Sequence, residues 1–334
     1  IPVTVLDLSD VESLEVAIVE NIQRDDLNPI EEARGYQRLV KEFGYDHDKI
    51  SKFITFILGK WEFHMSSSLG VMSGKRGLIM GVANERSIAW GIAKMAANHG
   101  AELAFTYQGE ALLKRLSPLA QSVNSEMVMQ CDVTDEHSLE TVFNTIRESW
   151  GKIDFVVHAI AYSDKDELKG EYINTSRDNF LRTLDISCFS FTSVAKYSAE
   201  LMPDGGSLLT LSYYGAERVM PHYNVMGVAK AALESSERYL AMDLRDQKIR
   251  VNGLSAGPMK TLAASGIGDF RYILKCNEYN SPLKRNVTLE DVGGAAMYLL
   301  SDLSSGVSGE IHHVDCGYNI VGMKAVDAPD ISVV

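Results

Sequence analysis

No CxxC pair, no GxGxxG and no apolar run of membrane-spanning length occurs anywhere in these 334 residues. Each absence removes a class. Cys131, Cys188, Cys276 and Cys316 stand far apart, which predicts reduced thiols in a cytoplasm and neither a disulfide framework nor a zinc site. A membrane helix needs about 20 consecutive apolar residues, and none is found; nor does a basic segment followed by an apolar one open the chain as a secretory signal would. Excess positive charge is missing too. The net charge of −13 counts against a general nucleic-acid binder. With 46% hydrophobic and 23% charged residues the chain has room for one large globular domain and something extra, without internal repeats or low-complexity tracts.

What is present falls into two unlike pieces. Residues 1–64 are acidic and read as helices: Ser9 is placed as a cap before DVESLEVAIVENI, Asn28-Pro29 opens a second helix, Gly44 is placed to stop it, and a third starts at Asp46. AIVENIQRDDLNPIEEARGYQRLVKEFG resembles the ParB family of chromosome-partitioning proteins, and that resemblance implies a segment just before a DNA-reading helix-turn-helix. It covers residues 1–54 and is expected to fail after Phe53 or Ile54, where TFILGKWEFHM supports neither turn nor recognition helix. With Ile1 rather than Met at its start, the piece is expected to be incomplete at both ends: a remnant or fusion without function of its own, in a chain whose functional domain is 65–334.

Beyond the small-residue linker SSSLGVMSG the pattern alternates strictly. Seven β-rich runs, from RGLIMGVA to EIHHVDCG, are interleaved with amphipathic helices, including a long one from about Ser176 to Met202. That order predicts an α/β fold: a doubly wound, Rossmann-type parallel sheet of seven strands with helices on both faces, preceded by a short α-helical extension. The stretch from Lys260 to Asn280 reads as a long loop, and a loop of that length in a compact domain is expected to be a functional lid.

Chemistry is expected at LSYYGAERVMPHYNVMGVAK, residues 211–230. Tyr223 and Lys230 lie two helical turns apart, so one ligand-sized site can see both. Spacing alone is weak, because the same interval recurs at Tyr45/Lys52, Tyr107/Lys114 and Tyr162/Lys169. Tyr223/Lys230 is singled out by its context, an apolar strand, a loop and then a small-residue helix, which is where open α/β sheets bind ligands. In the first strand-to-helix turn, GVANERSIAWGIA, Gly81 and Gly91 remain and Ser87 takes the middle glycine's place. The turn suits a pyrophosphate at a helix N-terminus, and Ser87 suits an ordinary cap equally. Gln108 stands where an acid would bind a ribose hydroxyl, so charge does not decide between NAD and NADP. Asp132 reads either as an adenine-capping residue or as a helix cap.

Together these segments closely resemble the enoyl-acyl carrier protein reductases of the FabI type, in the short-chain dehydrogenase/reductase superfamily, over residues about 74–323. The motifs carrying the match are SGKRGLIMGVANERSIAWGIA, GAELAFTYQGE, LTLSYYGAERVMPHYNVMGVAKAALE, LSAGPMKTLAASGI and VTLEDVGGAAMYLLSDLSSGVSGEIHHVDCGYNI. The resemblance implies dinucleotide contacts from Gly81, Ser87, Ile88, Gln108, Asp132, Val133, Ile160, Lys230, Met259, Thr261 and Ala263. It implies a substrate site lined by Tyr213 and Tyr223, with Tyr223 donating to a thioester carbonyl and Lys230 holding the nicotinamide ribose. It further implies an acyl carrier protein partner and a homotetramer, with no membrane, nucleic acid or metal. NADH is expected over NADPH, since nothing in TYQGEALLKR is shaped to clamp a 2′-phosphate. Lys230 is also expected to lower the Tyr223 pKa. Two departures touch the fit of substrate: Ala161 and Gly253 replace a usual glycine and alanine. A ketoacyl or carbonyl reductase of the same superfamily would place Tyr and Lys four apart, a spacing found only at Tyr45/Lys49. A DNA-partition protein is the remaining alternative, carried by the N-terminal piece alone.

Overall fold

The computed structural model describes residues 70–262, 264 and 267–331; the expectations for residues 1–64 and for Ala263 lie outside the described residues. The chain divides between Gly70 and Val71, and the fold below is that of the second unit.

Seven parallel strands form one sheet in the order β3-β2-β1-β4-β5-β6-β7. They are β1 (Arg76–Met80), β2 (Glu102–Tyr107), β3 (Met127–Gln130), β4 (Phe155–His158), β5 (Gly206–Ser212), β6 (Ile249–Ala256) and β7 (Ile311–Val314). Central strands such as FVVH are buried at every position, because helices cover both faces and leave no solvent side for polar alternation. The order reverses between β1 and β4. At that switch point the loops leaving the two strands diverge and open a crevice at their carboxyl ends.

Helices α1 (Ile88–Asn98), α2 (Glu110–Ser122) and α3 (Glu136–Trp150) follow the first three strands. A short turn of helix, α4 (Lys165–Leu168), follows β4. The long helix expected near 176–202 is present as α5 (Arg177–Leu184) and α6 (Ser190–Glu200), joined through a π-helical turn at Asp185–Phe189. Then come α7 (Asn224–Asp243), α8 (Phe270–Asn280) and α9 (Leu289–Leu300). Two cores result, one on each face: Ile92, Phe105, Val292 and Ala296 on the α1/α9 side, and Phe143, Val156, Phe191 and Val251 on the α3/α6 side. On the first face α1 and α9 meet at two glycines, for a Cβ on Gly91 or on Gly293 would press within 3.0–3.2 Å of the opposite helix.

One element departs from expectation. The stretch read as a loop from Lys260 to Asn280 is helical over its second half, Phe270–Asn280. Ile273, Leu274 and Asn277 form its buried face, a helical spacing whose period is obscured in the sequence by an asparagine at an inward position.

Candidate active site

The site begins with a tyrosine placed by its backbone. Tyr223 occupies the N-cap position of α7, and both neighbours take left-handed conformations, His222 at φ 55° and Asn224 at φ 39°. Such conformations persist only where contacts hold them, and here they do. Asn224 Nδ2 donates to the carbonyls of Glu167, Leu168 and Gly170 (2.8–3.3 Å), and a His222 ring nitrogen meets an Asp269 carboxyl oxygen at 2.9 Å. The Tyr223 ring lies edge-on to Tyr213, centroids 5.0 Å apart at 74°, and flat against Gly215, where a Cβ would stand 2.4 Å from the ring. Only glycine fits there. Leu168, Val225 and Met226 complete a small apolar cluster around the pair.

The Tyr223 side chain is 8% exposed, and its hydroxyl has no hydrogen-bond partner among the described residues. Burial first, then the neighbouring Tyr213 and Glu234, raises its pKa well above the ordinary value of 10. Lys230, expected to lower this pKa, is not among the groups that shift it, and burial carries the net change upward. Physically, the lysine is committed elsewhere: its Nζ donates to the Leu211 carbonyl at 2.7 Å. Burial pulls Lys230 down to about 8, against a smaller upward pull from Cys188 and Glu234. Its remaining N–H groups are free to meet a ligand. Tyr213 is likewise raised, by burial and then by Tyr318, Cys276 and Asp315.

Both side chains face one cavity of about 700 Å³ at the carboxyl ends of the strands. Of the residues expected to contact a dinucleotide, Gly81, Ser87, Ile88, Ile160, Met259 and Thr261 line it together with Tyr213, Tyr223 and Lys230. Its floor near β1 fits a pyrophosphate. Gly81, at φ 98°, sits so close to Ala159 that a Cβ would lie 2.0 Å from the Ala159 oxygen. Ser87 stands at the N-cap of α1, yet its hydroxyl does not cap: it accepts from the amides of Ala83 and Asn84 (3.0 Å each), folding the turn back on itself. The amides of Ile88 and Ala89 are left without acceptors among the described residues, as an anion at a helix N-terminus requires.

Three expected contacts lie elsewhere. Gln108 and Asp132 border a second groove of about 560 Å³ beyond the ends of β2 and β3. There Gln108 Nε2 donates to Asp132 at 3.1 Å, while the other Asp132 oxygen accepts from the Thr134 amide and hydroxyl. Those bonds, the backbone one foremost, hold the Asp132 carboxyl below its usual range. The helix cap is Asp135, which accepts from the His137 amide, so Asp132 is not the cap. Val133 packs against the core.

Sequence reasoning missed several wall residues. Met226 sits three positions after Tyr223 on α7, and helical spacing could have found it. Leu168, on a single helical turn within DKDELKG, gave no signal. The expected lid does reach the wall, through Leu262, Ala264, Ile267, Phe270 and Ile273, the last two on α8. Two buried groups take no part. His158 is pushed down to about 3 by burial and by Lys230, and its ring bonds to Thr210 and Ser190. Glu234 accepts the Ser212 hydroxyl, and burial raises its pKa.

Known proteins resemble this chain closely in sequence and fold. A family profile described as enoyl-(acyl carrier protein) reductase matches residues 81–319. A second, described as the ParB HTH domain, matches residues 25–73 and so runs on past Ile54. Among relatives, enoyl-[acyl-carrier-protein] reductase [NADH] 1 of Rhizobium meliloti is 70% identical over 269 residues, 80% of this chain and 99% of that one. The Anaplasma phagocytophilum enoyl-(acyl-carrier-protein) reductase, solved in complex with NAD, is 59% identical with a TM-score of 0.75, covering 78% of this chain and 98% of its own. The Bacillus cereus enoyl-acyl carrier protein reductase, solved with NADP+ and indole naphthyridinone, is 50% identical with a TM-score of 0.74, over 76% and 99%.

Proposed function

The chain belongs to the enoyl-(acyl carrier protein) reductase family, and from that premise we propose that it reduces the trans-2 double bond of enoyl-acyl carrier protein thioesters with NADH, the reductive step of fatty acid elongation. The observation that carries the reading is the unpartnered Tyr223 hydroxyl, in the same cavity as the buried Lys230 ammonium.

NADH, when bound, supplies a hydride to the β-carbon. The rest is the work of this chain's residues. As charge collects on the thioester oxygen, the Tyr223 O–H donates to it, and a donor already fixed by Gly215, Tyr213 and Asn224 costs no reorganisation. Its raised pKa keeps the phenol protonated, so it acts as a hydrogen-bond donor across the physiological range. Lys230 holds the nicotinamide ribose with the N–H groups that Leu211 does not use. Gly81 and the free amides at the start of α1 hold the pyrophosphate, and Met259 and Thr261 border the same space. The segment from Leu262 through α8 excludes water once the acyl chain is in place.

Acyl carrier protein is the partner in this reading. Exposed apolar side chains on and beside the α6/α7 face, Phe189, Tyr239 and Met242, support assembly with copies of the chain into a homotetramer. The four unpaired thiols suit a cytoplasmic setting. The test is oxidation of NADH with a crotonyl thioester, with the saturated acyl product identified by mass. Turnover of a β-ketoacyl thioester instead would replace this reading with the carbonyl reductase one.

The match to the ParB HTH domain favours a second reading for residues 25–73 alone, contact with DNA. Over residues 25–73 eight Asp/Glu stand against six Lys/Arg, a net charge of −2 where a DNA-contacting segment is ordinarily basic. Absence of any mobility shift with duplex DNA at low salt removes it.

A further inference from the structure

What holds Lys230 in place lies on one face of α7 and at the end of β5. Glu234 follows Lys230 by one helical turn, so the two side chains share that face. Each is bonded to β5 and not to the other. Lys230 Nζ donates to the Leu211 carbonyl at 2.7 Å, and the hydroxyl of the next residue, Ser212, donates to a Glu234 carboxyl oxygen. All three side chains are buried, Glu234 as deeply as the lysine. The Leu211 carbonyl belongs to the planar peptide that ends at the Ser212 Cα, so a bond that fixes the serine also constrains where that carbonyl points. Glu234 forms no part of the cavity wall and acts from behind it.

We infer that Glu234 is a positioning residue for the cofactor: by holding Ser212 it aims the Leu211 carbonyl that steers Lys230, and its negative charge behind the lysine favours the ammonium form. The inference rests on the reading of Lys230 as the anchor of the nicotinamide ribose. Electrostatics points the same way. Burial pulls Lys230 down to about 8, and what opposes it is Cys188 from the π-helical turn and Glu234 from its own helix. His158 on β4 also faces the lysine, but burial keeps that ring neutral. Around Glu234, burial raises the pKa, whereas the Ser212 hydroxyl, His313 on β7 and Arg238 favour the carboxylate against Glu217. Glu237 stands one turn further along α7. The lysine loses its charge as pH rises through about 8, and NADH affinity falls with it. Removing the negative charge at Glu234 therefore moves that loss to lower pH.

The experiment is fluorescence titration of the full chain with NADH from about pH 6.5 to about pH 9.5, in the unsubstituted protein and in Glu234→Gln and Glu234→Ala. Gln keeps an acceptor for the Ser212 hydroxyl and loses the charge. Its NADH affinity should match the unsubstituted protein at the acid end, with the loss displaced downward by about half a pH unit, a Kd about threefold weaker near pH 8. Ala loses acceptor and charge together, and should weaken NADH binding about fivefold even at the acid end, the scale of one hydrogen bond. In both variants kcat at saturating NADH should fall less than the affinity does. An unmoved pH midpoint in Glu234→Gln, or full NADH affinity in Glu234→Ala, overturns the inference. So does a midpoint that moves in Glu237→Gln and not in Glu234→Gln, which assigns the effect to the neighbouring carboxyl. Lys230→Ala is the reference: if it binds NADH as tightly as the unsubstituted protein, the reading of the lysine as ribose anchor falls first and takes the inference with it.

Discussion

A carboxyl with no partner is the costliest thing a helix can bury, and α7 buries one. Glu237 has no exposed surface, and neither of its oxygens has a hydrogen-bond partner among the described residues. Gly253 on β6 lies beside it: a Cβ there would stand in ordinary contact with Glu237 Oε2 at 3.4 Å, but only 2.6 Å from Ile311, so it is Ile311 that the glycine makes room for. The unusual glycine noted in the sequence thus has a physical correlate. Burial pushes Glu237 up to about 8 from an ordinary 4.5, with Arg238 pulling down and Glu234 and Glu310 pushing up. The folded state therefore holds this proton more tightly than the unfolded chain does. Its contribution to stability is complete below about pH 4.5 and is lost as pH rises through about 8, by up to about 4 kcal/mol between pH 5 and pH 8. Replacing Glu237 with Gln removes the ionisation, so urea unfolding at pH 5 and pH 8 should differ much less in the variant. Equal pH slopes in the two proteins would mean that the carboxyl finds a partner on ionisation.

Among the elements, α7 and the turn before it do the positioning. The three-residue helical turn Tyr214–Ala216 presents Gly215 to the Tyr223 ring, and one methyl there has nowhere to go but into the phenol. Gly215→Ala should lower kcat tenfold or more while leaving NADH affinity within twofold, since Lys230 and the α1 turn are untouched. Wild-type turnover in that variant would show that the Tyr223 ring is not held where the structure has it. This contact was not legible in the sequence, where Gly215 is only a residue in a loop. Tyr223 and Lys230 were legible, because strand, loop and small-residue helix follow one another there as in other open α/β sheets. The lid was half legible: its apolar residues marked it, but the helix Phe270–Asn280 turns Asn277 inward and so conceals its own period.

For the molecule as a whole, the number of strands and their parallel direction followed from alternation, since crossover helices between strands cover both faces of one sheet; the order β3-β2-β1-β4-β5-β6-β7 comes from the structure. What the sequence could not place were residues joined only by topology. Arg182 lines one groove with Gln108 and Asp132, and no interval in the sequence records that. The division of the chain gives the next prediction. Every residue named in the mechanism lies beyond Gly74, so a chain starting at Met65 should keep the reductase activity and the thermal midpoint of the full one. An insoluble or inactive Met65 protein beside an active full chain would make residues 1–64 an integral part of the enzyme.

The central claim is a division of labour between two side chains on one helix, and steady-state kinetics with NADH titration separates them. Tyr223→Phe should lower kcat for crotonyl thioester reduction by about 3 kcal/mol of lost transition-state stabilisation, roughly a hundredfold, with NADH binding nearly unchanged. Lys230→Ala should chiefly weaken NADH binding. Wild-type turnover in Tyr223→Phe, or loss of cofactor affinity in that variant and not in Lys230→Ala, would contradict the account.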